Sequence, residues 1–236
     1  MERALAAIAA GDLHLELIIG RQFADQIAPV AEGKAYHQSV FINCPFDDDY
    51  KPLFQAMVFT VIRCGYLPRC AKEQDDSSDP RLEKILAMIE ECRFGIHDLS
   101  RVEGDPRFNM PFELGLFIGA KRYGRGAQDR KSFVVFERDP HGYDKFISDF
   151  SGHDTKFHNN QEKRIVQEIR DWIPKAAGKK WLPGGHELWL EYREFKSWLK
   201  SKCETAGLRV KKLTWAESLE FAVEWKRHVR VSKRLT

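Results

Sequence analysis

SVFINCPFDDDYKPLFQAMVFTVIRCG, spanning Ser39–Gly65, switches hydrophobic period halfway along. Ser39–Cys44 is a short apolar run, rich in β-branched and aromatic residues and stopped by Pro45. That pattern reads as a buried strand. From Tyr50 the apolar residues recur at helical spacing, as Tyr50, Phe54, Met57, Val58, Val61 and Ile62. Aspartates precede this run, Pro52 falls in its first turn and Gly65 sits just past its end, as a helix prefers. A strand feeding directly into a helix is the first half of a βαβ unit.

The same alternation continues downstream. YLPRCA is a weaker strand, pushed to a sheet edge by Pro68. EQDDSSDP is a polar loop, and RLEKILAMIEEC carries the helical stripe Leu82, Ile85, Leu86 and Ile89. FGIHDLS, Phe94–Ser100, is a third strand ending in a carboxylate. NMPFELGLFIGAKRYG starts a helix with Asn109 as N-cap and Pro111 in its first turn. SFVVFER, Ser132–Arg138, is a fourth strand. Connections this long exclude hairpins and predict βαβ crossovers, hence an α/β fold with a flavodoxin-like parallel sheet, order 2-1-3-4, and helices on both faces.

Three regions follow from this reading: an N-terminal extension over 1–36, the α/β domain over 37–150 and a helical region over 151–236. The six tryptophans, Trp172, Trp181, Trp189, Trp198, Trp215 and Trp225, all lie in the last of these. It shows three helical segments, the third opened by a Thr214–Glu217 capping box. Charge divides likewise. Residues 1–159 hold 20 Lys/Arg against 25 Asp/Glu, and residues 160–236 hold 18 against 10. A basic end is compatible with nucleic acid, but solvated helix faces account for it more simply, so nucleic acid is not the favoured partner.

The whole chain, 236 residues with 43% hydrophobic and 31% charged residues, has the composition of a globular protein. No apolar run approaches the roughly 20 residues of a membrane span. Asp12, His14 and Glu16 interrupt the only stretch resembling a secretory signal, so the expected place is the cytoplasm. The five cysteines form no CxxC pair and read as small core hydrophobes.

Sites in open parallel sheets form beyond the carboxyl ends of the strands. Asn43, Phe46 and Asp47–Asp49 follow the first strand, and Asp98, Ser100 and Arg101 the third, with Arg107, Asn109 and Glu113 leading into the next helix. No His–Cys cluster and no phosphate-cradling glycine loop occurs among them. Glu113 stands in apolar surroundings near a helix start. It reads either as a capping carboxylate with Asn109 or as a carboxyl facing the pocket. Asp98 reads either as a turn-forming carboxylate or as its partner, the two flanking a cationic sugar carbon. His97 alternates to the face opposite Asp98 and has a lesser claim.

VFINCPFDDDY, GIHDLSRVEG and FNMPFELGLFIGAKRYG together resemble the nucleoside 2-deoxyribosyltransferase-like proteins and the related bacterial Toll/interleukin receptor (TIR)-like domains. The likeness covers roughly residues 38–136 and includes an Asn-x-x-x-Glu-x-Gly element, here Asn109, Glu113 and Gly115. The loop NCPFDDD departs from the Ser- or Tyr-rich loop usual in TIR domains. The resemblance implies an N-glycosidase, a hydrolase acting on NAD or another nucleotide, of the kind that serves bacterial anti-phage defence. It implies Glu113 as nucleophile or stabiliser of the oxocarbenium-like transition state, with Asp98 and Asn109 orienting ribose hydroxyls. Phe46 would stack on a base, Asn43 and Asp47 would line the mouth, and Arg101 or Arg107 would meet a phosphate. The nucleotide is then substrate, with no cofactor or metal. A regulatory or sensor protein and a second copy of the chain are the implied protein partners. The alternative is a non-catalytic nucleotide-sensing or protein-interaction module on the same fold.

Overall fold

The computed structural model describes residues 34–73, 80–100, 108–140, 147–150, 152–177 and 182–232. The expected phosphate ligands Arg101 and Arg107, the extension up to residue 33 and Trp181 lie outside them.

A short helix α1 (Lys34–Gln38) leads into strand β1 (Ser39–Asn43), every residue of which is buried. Burial on both faces explains why its sequence is a continuous apolar run. Helix α2 (Lys51–Arg63) follows and buries nine residues. It ends as the sequence predicts, with Gly65 at φ 87°. Gly65 N–H donates to Ile62 O and Tyr66 N–H to Val61 O, each at 3.0 Å, a Schellman closure that needs a left-handed residue. Strand β2 (Leu67–Arg69) pairs with β1 alone and so forms an edge, where Pro68 costs no ladder bond. Helix α3 (Arg81–Glu91), strand β3 (Phe94–Asp98), helix α4 (Asn109–Tyr123) and strand β4 (Ser132–Glu137) complete the expected alternation. Among the described residues the sheet has a fifth strand, β5 (Lys156–Phe157), giving the all-parallel order β2-β1-β3-β4-β5. Two residues in a polar surrounding carry no readable period, which is why β5 is absent from the sequence reading.

Two helix details differ from expectation. The N-cap of α4 is Phe108, not Asn109, and no side chain caps this end; Asn109 is the exposed first residue of the helix. The buried line of α4 is Met110, Glu113, Leu114 and Phe117, while Phe112 is 53% exposed. On α3, Ile85, Met88 and Ile89 are buried and Leu82 and Leu86 remain exposed. Both helices are rotated so that the widest apolar arc, not every apolar residue, faces the sheet.

The faces of the sheet separate by strand parity. Val40, Ile42, Phe94, Ile96, Val134 and Phe136 point to the α2 side, and Phe41 joins Ile85, Met88, Ile89 and Phe117 on the α3–α4 side. The α2 side is covered a second time. Helices α5 (Glu162–Ala177), α6 (Gly185–Thr205) and α7 (Trp215–Ser232) pack into the same core through Ile165, Ile169, Tyr192, Phe195 and Trp225. Arg63 on α2 makes a two-pronged ion pair with Glu191 on α6, its Nη2 2.7 Å from Oε2, and Trp225 Nε1 on α7 donates to Glu191 Oε1 at 3.2 Å. The expected capping box holds: Thr214 N–H donates to Glu217 Oε2 at 2.7 Å and Glu217 N–H to Thr214 Oγ1 at 3.2 Å. All five cysteines are free and buried. No helix among the described residues is long and apolar enough to cross a membrane.

Candidate functional site

The carboxyl ends of β1 and β3 carry two polar groups of residues, one on each face of the sheet. On the α2 side lies Asp98, fully buried. Its Oδ2 accepts from Tyr50 Oη at 2.5 Å and from His158 Nε2 at 3.1 Å, and its Oδ1 accepts from Ser100 N–H at 2.9 Å. His158 Nδ1 accepts the Asn160 N–H at 3.0 Å, so the imidazole proton sits on Nε2. Ser100 Oγ is 2.7 Å from that same nitrogen. Serine and aspartate therefore meet one ring atom, an arrangement that cannot relay a serine proton across the imidazole. Asn159 and Asn160 reach this position with φ of 48° and 55°, left-handed values that asparagine tolerates better than most residues. Burial, then the charge of Asp98, pushes the Tyr50 hydroxyl well above its ordinary range. Asp98 is thus a fully satisfied anchor tying β3 to the starts of α2 and α5.

On the α4 side the picture is the reverse. Glu113 is 6% exposed and accepts no hydrogen bond from any described residue. Burial raises its carboxyl to about 7, with Arg81 at the start of α3 pulling the other way. It caps nothing, because the first turn of α4 has no side-chain cap. At the end of β1, Asn43, 1% exposed, donates from Nδ2 to Met110 O in the first turn of α4 at 2.8 Å and meets His97 Nδ1 at 3.2 Å. Its Oδ1 is buried without a partner. His97 is packed edge-on against Phe117 and Phe41, and burial drops it to about 3, so it is neutral.

The two carboxylates expected to form a pair are therefore separated by the sheet, Asp98 with Ile96 on one face and Glu113 with Phe117 on the other. The end of β1 lies between them. The Cys44 thiol reports this position: burial raises it first, Asp98 next, and Glu113 adds a smaller push from the other side.

Around this centre, Phe46 is half-buried and packs edge-on against Phe54 at 5.3 Å. Lys72 Nζ stands 4.9 Å from the Phe46 ring centroid. Asp47 Oδ1 accepts the Tyr50 N–H at 3.0 Å and closes the turn before α2, and Asp48 pairs with Lys51 at 2.8 Å. The aspartates are thereby used at the helix start. Tyr50, His158, Lys72 and Arg81 belong to the site region yet escaped sequence reading. Tyr50 looks like a core position by period, and only its hydroxyl, which seeks a partner when buried, hints otherwise. His158 lies sixty residues beyond Asp98, and nothing local marks it. Among the described residues no group of three His, Cys, Asp or Glu is placed to hold a metal ion.

Compared with protein-family models, with curated proteins and with solved structures, the chain finds no match in any of the three. What the arrangement offers chemically is a carboxyl that holds or yields a proton at neutral pH in a desolvated setting, on a helix whose first turn is pinned by a fixed carboxamide.

Proposed function

We propose that this protein is an N-glycosidase, a hydrolase that cleaves the base–sugar bond of NAD or another nucleotide, with Glu113 as the catalytic carboxyl. The observation that carries this reading is a buried Glu113 with no hydrogen-bond partner among the described residues and no capping role, raised to about 7 at the carboxyl edge of a parallel sheet. A structural carboxylate that deep is normally paired. In the reaction the C1′–N bond breaks with its electron pair leaving on the base. Water then adds through oxygen to C1′ and gives up a proton. Glu113 as carboxylate stabilises the oxocarbenium carbon, or captures it as an ester whose C1′–O bond breaks as water adds, and it takes the water proton and passes it to the departed base or to solvent. Asp98, both of whose oxygens are committed, contributes fixed negative charge and shape rather than attack.

Phe46 is the candidate platform for the base, where an incoming ring replaces the Lys72 ammonium or stacks opposite it. Asn43 and Asn109 are the candidate sugar contacts and Arg101 or Arg107 the phosphate contacts. The resemblance to deoxyribosyltransferase-like and TIR-like domains supports this assignment. It also supports a cytoplasmic effector of anti-phage defence whose basal turnover a regulatory protein or self-association raises.

One observation favours a second reading, a nucleotide-sensing or protein-interaction module. Leu82, Leu86, Phe108, Phe112 and Tyr123 are exposed on or beside α3 and α4, the face on which the described residues place no second helical layer. Purified protein incubated with NAD, nucleosides and nucleotides, followed by chromatography for free base, separates the two. Released base supports the enzyme. Ligand-induced thermal stabilisation without release supports the module.

A further inference from the structure

Three polar groups bridge the end of β1, the end of β3 and the first turn of α4. Asn43 Nδ2 makes both of its hydrogen bonds at once, to His97 Nδ1 at 3.2 Å and to Met110 O at 2.8 Å. The carbonyl partner fixes which end of the amide is nitrogen. His97 must then accept at Nδ1 and carry its proton on Nε2, which is fully buried and has no hydrogen-bond partner among the described residues. That nitrogen points into a box of aromatic rings: Phe117 at 5.1 Å, Phe41 at 6.0 Å and Phe133 at 6.3 Å between centroids.

The floor of the box is Gly95. A Cβ there would stand 2.6 Å from His97 Nε2 and 3.0 Å from the Phe117 ring, so only glycine leaves room for the imidazole. A buried donor is given up in this arrangement, which is costly unless something is gained for it. Hydrophobic packing alone would place a leucine or phenylalanine here. What the imidazole adds is a single acceptor aimed at Asn43.

Met110 lies three residues before Glu113 on the same buried line of α4. The link His97–Asn43–Met110 therefore sets the distance between the start of this helix and the strand ends. We infer that His97 is a positioning residue for Glu113, acting through Asn43, which it holds in the one orientation that pins the first turn of α4. This rests on Glu113 being the catalytic carboxyl as proposed above. It assigns His97 no contact with substrate and no proton transfer, and Lys131, whose Nζ lies 4.5 Å from the Phe117 ring, adds a cation that helps keep the imidazole neutral.

The test uses the full chain and reads two quantities. The first is the Glu113 carboxyl titration followed by carbon-detected NMR. In His97→Phe the acceptor is gone, the turn loosens, water reaches the carboxyl, and its midpoint drops by about one pH unit or more. In His97→Asn, which keeps an acceptor near the Nδ1 position, most of that drop is reversed. The second is base release from NAD, where His97→Phe lowers kcat about tenfold or more with KM nearly constant, as loss of alignment does. Asn43→Ala cuts the same link at its other end, reproduces the drop in the Glu113 titration, and serves for that readout if His97→Phe does not fold. An unchanged Glu113 titration in a folded His97→Phe or Asn43→Ala protein overturns the inference. So does a His97→Asn protein no better than His97→Phe. Absence of base release by the wild type refutes the glycosidase reading alone, and the titration still decides the role of His97.

Discussion

Glu113→Gln tests the energetics of the site without any assumption about substrate. The folded protein holds the Glu113 carboxyl at about 7 against an ordinary value of 4.5, because burial penalises the charged form. Below pH 4.5 the group is protonated in both the folded and unfolded chain. Between 4.5 and about 7 the unfolded chain releases this proton while the folded one keeps it, so the unfolded state binds fewer protons and stability falls as pH rises. At about 1.4 kcal/mol per pH unit the whole fall comes to about 3 kcal/mol, complete once pH passes the folded value. Glutamine keeps the shape and removes the titration. Urea unfolding of both proteins across pH 4.5 to 8 isolates the effect, since every other titrating group cancels in the difference. Glu113→Gln should gain on the wild type by about 2–3 kcal/mol over that window, with the gain levelling above neutrality. Parallel stability curves would refute the argument, for they would mean that Glu113 is solvated or paired and carries no stored cost.

Two further buried carboxylates, Asp98 and Glu191, behave differently. Asp98→Ala leaves the Tyr50 hydroxyl buried without its acceptor and the His158 Nε2–H with Ser100 Oγ alone, and should cost about 3 kcal/mol of unfolding free energy, read by urea denaturation. A drop in base release with stability intact would instead return Asp98 to a direct catalytic role. Glu191→Leu strands the Arg63 guanidinium between α2 and α6 and should cost about 3–5 kcal/mol, whereas pairing it with Arg63→Met should recover much of the loss in the same assay. No recovery in the double substitution would show that packing of Trp225, not charge, dominates there.

Much of this architecture is written locally. Ser39–Cys44 is apolar because β1 is covered on both faces, and Gly65 marks the end of α2 because the Schellman turn demands positive φ. Pro68 identifies β2 as an edge. These features depend on near neighbours and survive in a one-dimensional reading. Glu113 also stood out, as a carboxyl on an otherwise apolar helix start. What the sequence did not reveal depends on distant partners. Asp98 reads as available in the sequence because Tyr50 and His158, which fill its Oδ2, are brought to it only by the fold. Which face of the sheet each carboxylate occupies follows from strand parity combined with the side on which α4 packs, and the second of these is a tertiary fact. Asn109 resembled a cap by residue type, but the chain enters α4 through Phe108, leaving its amide exposed.

The central claim is that Glu113 performs the chemistry. The most direct measurement compares base release from NAD and from nucleotides by wild type and by folded Glu113→Gln protein under identical conditions. The account predicts release by the wild type and a fall of about a hundredfold or more in the variant. Release that persists undiminished in Glu113→Gln would contradict it.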